Sequence, residues 1–117
     1  MKRPMYDTMS TLFECAKDRI GNKDMKEFAS LTERATDEAL RLAQVCEGLA
    51  CTIDSDARGG SRAGSFEDAD SAFTLLCALA HSFDTIAAMA HVGDQATYYL
   101  NCRKVGASLT KAEGGAA

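Results

Sequence analysis

The stretch from Ser71 to Val92 limits the fold more than any other. It holds 22 residues, 15 of them apolar, and Asp84 is its only formal charge. Its apolar side chains fall almost all round a helical wheel. A helix without a polar face is covered on more than one side. The chain must therefore supply, or recruit, at least two partners for this segment.

The rest of the sequence predicts an all-α domain. Ala is abundant, Val and Ile are scarce and there is one Pro in 117 residues, a composition that favours helix over strand. Four helices are expected. The first covers 4–20, opened by Pro4 and stopped by Gly21-Asn22, with Met5, Met9, Leu12, Phe13, Ala16 and Ile20 as its stripe. The second covers 24–53. Its seam, Phe28, Thr32, Ala35, Ala39, Leu42, Cys46, Leu49 and Ile53, alternates steps of four and three. A loop, DSDARGGSRAG, fills 54–64. The third helix covers 66–91, with Ser65 as N-cap and Asp68 completing a capping box. Its 4-3 seam is Ala69, Phe73, Leu76, Ala80, Phe83, Ala87 and Ala90, and Leu75, Leu79 and Ile86 lie off it. Gly93-Asp94 is read as a break. A fourth helix follows over 95–110, then a frayed tail over 111–117. Two long and two short helices predict an up-down antiparallel bundle in a single domain.

Charge narrows the partners. Residues 1–23 carry five basic and three acidic groups, 24–54 three basic and seven acidic, and 66–92 four acids with no Lys or Arg. No basic stripe follows a phosphate backbone, so nucleic acid is not an expected ligand. Ser71–Val92 is long enough to span a bilayer, but Asp84 near its middle and the absence of flanking Lys or Arg argue against a membrane span. Five cysteines, none in a CxxC pair, fit a reducing cytoplasm better than a disulfide framework. Cys15, Cys46, Cys77 and Cys102 are read as small hydrophobes among apolar neighbours.

Chemistry-bearing patterns are sparse. Cys77 and His81 share a helix face, but a second ligand pair is missing, so no metal is expected. The Gly59–Ser65 loop contains Arg62 but lacks the preceding strand and the Lys of a phosphate-binding loop. The run Ala80-His81-Ser82-Phe83-Asp84-Thr85 resembles, over six residues, the phospho-accepting segment of histidine phosphotransfer domains. Ala80 and Phe83 match its apolar positions. Asp84 stands where that pattern has Lys, and Thr85 where it has Gly. The resemblance implies a phosphoryl acceptor at His81. Asp84, His81 and Thr85 also lie close enough on one helix to form a polar spot.

The reading that follows is a non-enzymatic, cytoplasmic protein-binding module, an adaptor, regulator or inhibitor, without cofactor. A homodimer is the simplest cover for the third helix. Leu75, Leu79, Ile86, Tyr98 and Tyr99 are its expected partner surface, and Arg58 and Arg62 its docking loop. A phosphotransfer-like domain centred on His81 and a structural subunit of a helical assembly are the alternatives.

Overall fold

The computed structural model describes residues 2–59 and 68–115. These form α1 (Pro4–Ala16), a 3-10 turn (Lys17–Arg19), α2 (Asn22–Ala29), α3 (Leu31–Gly59) and α4 (Ala69–Gly115). The fold is all-α, with no strand among the described residues. Ser30 separates α2 from α3 by a single helical-φ residue, and the Arg34 amide still reaches its carbonyl at 3.3 Å. α2 and α3 therefore act as one arm. The molecule has three arms, where four helices are expected from sequence.

α4 is the common partner of all of them. It is 47 residues long, about 70 Å at 1.5 Å per residue. The α1 arm runs parallel to it: the amides of Met5 and Tyr6 meet Asp84, and Phe13 and Lys17 meet Tyr99 further along. Arg103 then bonds the Lys17 carbonyl at 3.1 Å and Asn22 Oδ1 at 3.0 Å, which ties the turn between α1 and α2 to α4. From there the α2–α3 arm returns antiparallel. Where the three arms meet, Phe13, Met25, Val92 and Ala96 are buried, packed by Met9, Ile20, Phe28, Leu31, Tyr99 and Leu100.

The expected break at Gly93-Asp94 is absent, and what were read as the third and fourth helices are one. Gly93 is buried inside α4, and a Cβ there would collide with Thr32, meeting its backbone N at 2.6 Å. This glycine permits close helix approach and is not a stop signal. The sequence Gly-Asp does not distinguish the two roles.

Other boundaries shift for local reasons. α1 ends at Ala16 and the chain tightens into the 3-10 turn before Ile20 becomes extended. α3 stays helical through Gly59, past the predicted loop start at Asp54. α4 begins at Ala69, capped by Asp68, whose Oδ1 accepts the Ser71 amide at 2.7 Å. Ser65 lies outside the described residues. The helix continues through Gly115, over the segment expected to fray.

The result is long and thin. The chain measures 81 × 24 × 19 Å with a radius of gyration of 21.5 Å, against about 13 Å for a compact domain of this length. The compact part lies alongside α4 from about residue 84 to 103. Towards the N-terminus of α4, only α3 accompanies it, and the pair projects as a two-helix arm.

Gly93→Ala is expected to destabilise the fold by about 1–3 kcal/mol through overpacking. Gly48→Ala, at a helical site with open space around it, is expected to stabilise it by roughly 0.5–1 kcal/mol. Urea denaturation of both variants checks the contrast.

Candidate functional site

The two-helix arm has two dissimilar sides. On one, Arg34, Asp37, Glu38 and Arg41 of α3 and His81, Ser82, Thr85, Ile86 and Met89 of α4 line an open groove of about 540 Å³. This side is polar: Arg41 pairs with Glu38 at 3.3 Å, and the Thr85 hydroxyl donates to the His81 carbonyl at 3.1 Å.

The opposite side follows from helix geometry. At 100° per residue, Ala69, Phe73, Leu76, Ala80, Phe83 and Ala87 fall within a roughly 80° sector of α4, turned away from the groove. On α3, Thr36, Ala39, Ala43, Cys46 and Ala50 fill the corresponding sector. Most of these residues are exposed, with Cys46 and Ala87 half-buried. Phe73, Leu76 and Phe83 are 68%, 65% and 51% exposed. The sector carries no Lys, Arg or Glu; Asp54 shares the phase of Thr36, Glu47 stands at the rim, and Lys2 and Arg3 lie beside Ala80 and Phe83. Ile53 continues the face near the hairpin tip, 49% exposed.

The 4-3 seam read from sequence as the core of this helix is therefore its uncovered face. Leu75, Leu79 and Ile86, expected to be the partner surface, are half-buried on the side of α4 that meets α3. Of the other two surface residues, Tyr98 is exposed and packs edge-on against Tyr99. Cys102, one turn on, raises the Tyr98 hydroxyl pKa by hydrogen bonding. Tyr99 is half-buried, and its hydroxyl takes a hydrogen bond from Lys17 Nζ at 2.6 Å. Lys17 also pairs with Glu14 at 2.6 Å; these two hydrogen bonds, Glu14's first, hold its ammonium above the ordinary lysine range. Arg58 lies on the helical backbone of α3, and Arg62 falls outside the described residues.

The polar spot of His81, Asp84 and Thr85 does not converge. Asp84 is 5% exposed and turned towards α1. Its Oδ2 accepts the Met5 amide at 2.9 Å and its Oδ1 the Tyr6 amide at 3.1 Å. Arg3, at the N-cap position of α1, makes no side-chain cap bond. Asp84 takes over that role from another helix, satisfying two orphan donors and opposing the helix dipole. His81 is exposed on the groove side. A carboxylate capping a helix 79 residues away leaves no local signature that sequence reading can find.

All five cysteines are free thiols. Cys46 is half-buried, while Cys15, Cys77 and Cys102, read as packed hydrophobes, are exposed with Cys51. The described residues hold no group of three His, Cys, Asp or Glu side chains arranged for a metal ion. By length and composition alone, Ala69–Ala112 contains a window apolar enough to cross a membrane, with mean hydropathy 1.4. No protein-family model, curated protein or solved structure matches the chain.

Asp84→Ala is expected to cost about 1–3 kcal/mol, because two amides at the start of α1 lose their acceptor. Hydrogen exchange should show the loss concentrated in Met5 and Tyr6. Asp68 gives a pH-dependent contrast. The Ser71 backbone hydrogen bond, its largest influence, lowers its pKa. Its capping contribution is thus present above the unfolded carboxylate pKa of about 3.9 and lost as pH falls through the lower folded value. Asp68→Asn should remove that acid dependence, as read by helix content between pH 5 and 2.

Proposed function

We propose that this chain is a non-enzymatic protein-binding module, and that it works by burying the uncovered apolar face of the α3–α4 arm against helices of another polypeptide. The observation that carries this reading is the face itself: Phe73, Leu76 and Phe83 in one stripe, beside a row of alanines, with Asp54 in the same sector only near the hairpin tip. Contiguous apolar surface of this kind marks an interaction site. It also offers little for catalysis, since its reactive groups, the Cys46 thiol and the Asp54 carboxylate, stand about two turns apart along α3.

A protein partner fits this face better than a bilayer. Asp84 lies within the apolar stretch of α4 and is bonded to the start of α1. Inserting α4 would carry that carboxylate into hydrocarbon, at several kcal/mol, or strip α1 from its cap. Five free thiols accord with a reducing, cytoplasmic setting. Packing of a second helical pair onto the arm would generate the antiparallel four-helix arrangement expected from sequence, with half of its helices supplied in trans. The same surface would serve if the chain is a subunit of a larger helical assembly.

Phe73→Glu and Leu76→Glu each test the reading. Both side chains are exposed, so helix content and urea midpoint should stay near wild type, within about 0.5 kcal/mol. Binding of an environment-sensitive apolar dye, and any protein association, should fall at least tenfold. Unchanged association in both variants would refute it.

One observation favours a second reading. His81 is exposed and shares its groove with Arg34 and Arg41, cations that would balance the charge of a phosphorylated imidazole. Asp37 and Glu38 line the same groove and oppose it. Incubation with acetyl phosphate, followed by intact mass, should show an added phosphoryl group that His81→Gln loses. No mass change in the wild type would end this reading.

A further inference from the structure

We infer that the partner for this face is a second copy of the chain, packed face to face about a two-fold axis running along the arm. The inference rests on the protein-binding reading above and names its occupant.

The argument is self-complementarity. Most of the bulk of the face stands on α4, in Phe73, Leu76 and Phe83, while Ile53 of α3 adds to it near the hairpin tip. The α3 half is built from Thr36, Ala39, Ala43, Cys46 and Ala50. A two-fold axis parallel to the arm lays α4 of each copy on α3 of the other, so that large side chains meet small ones in both halves at once.

The register agrees. Thr32 lies against Gly93, and the antiparallel pairing that sets these two level also sets Ala43 level with Phe83 and Ala50 level with Leu76, within one residue. Rotation about an axis along the arm preserves height. Phe83 of one copy therefore comes down on Ala43 of the other, and Leu76 on Ala50. Ala80 stands at the level of Cys46 and Ala87 at that of Ala39, while Phe73, near the hairpin tip, stands at the level of Thr52 and Ile53. The other two-fold, perpendicular to the arm, lays α4 on α4 and α3 on α3. It sets bulky against bulky and leaves the alanine rows apart.

Area allows the pairing. The formal net charge of −4 opposes association of like molecules, and few charges stand on the face: Asp54 shares the sector of Thr36 near the hairpin tip, Glu47 stands at the rim, and Lys2 and Arg3 lie beside Ala80 and Phe83. The stretch from Ala69 to Ala87 is about 27 Å long, and two helices are about 20 Å wide. Each copy would bury roughly 550 Å², or about 1,100 Å² in all, which clears the area below which contacts are seldom specific.

The test is mass by light scattering over a concentration series of the full chain, with size-swap variants at one knob and its hole. Wild type should have twice the mass of a single chain at tens of micromolar. Ala43→Phe, which adds bulk at an exposed position and so spares the monomer, should weaken dimerisation at least tenfold. Ala43→Phe combined with Phe83→Ala exchanges knob and hole and should restore the dimer. A wild-type dimer that Ala43→Phe leaves unchanged would overturn this packing. So would a wild type of single-chain mass at every concentration, and the exposed-face variants then separate the two claims. If that monomer binds the apolar dye and Leu76→Glu abolishes binding, the second copy is excluded while the protein-binding reading stands. If dye binding is unaffected, both fall.

Discussion

Everything in this structure depends on α4 having more apolar surface than the other described residues cover. A helix with apolar side chains on most of its circumference needs neighbours on at least two sides. Over its middle and later turns α4 has them, because α1 and the α2–α3 arm both lie along it and enclose Phe13, Met25, Val92 and Ala96. Over its first turns it has only α3. α1 begins where Asp84 holds the amides of Met5 and Tyr6, and no other described element extends towards the hairpin tip. The face bearing Phe73 and Leu76 is left open by the length of α1, with both side chains set outward by the same helical phase that turns Leu75 and Leu79 towards α3.

Two close contacts fix this geometry, one at each end of the compact region. Asp84 sets the height at which α1 starts. Gly93 lets Thr32 approach the α4 backbone and so sets the height at which the α2–α3 arm passes. Between them they determine how much arm projects and which residues of α3 and α4 stand level on it. The function proposed here follows from that register more than from any single reactive group.

Much of the fold was legible in the sequence. Helical content followed from composition, the Gly21-Asn22 break was visible, and part of the α3 seam, Ala35, Leu42 and Leu49, does face α4. The third helix defeated periodicity for a physical reason. It carries two apolar stripes, and a wheel shows that both exist but not which one the intrachain partner takes. The regular 4-3 spacing of Ala69, Phe73, Leu76, Ala80 and Phe83 reads as a core seam, and it is the open face. Gly93 failed similarly, since a glycine that ends a helix and one that admits a neighbour look alike in a single sequence. The role of Asp84 was out of reach because its partners lie at the other end of the chain.

Small-angle X-ray scattering of the wild-type protein tests the central claim most directly, because it reads mass and shape together. Face-to-face pairing along the arm doubles the forward-scattering mass while leaving the longest dimension close to the 81 Å of one chain. A single-chain mass, or a doubled mass with a longest dimension well beyond that length, would contradict it.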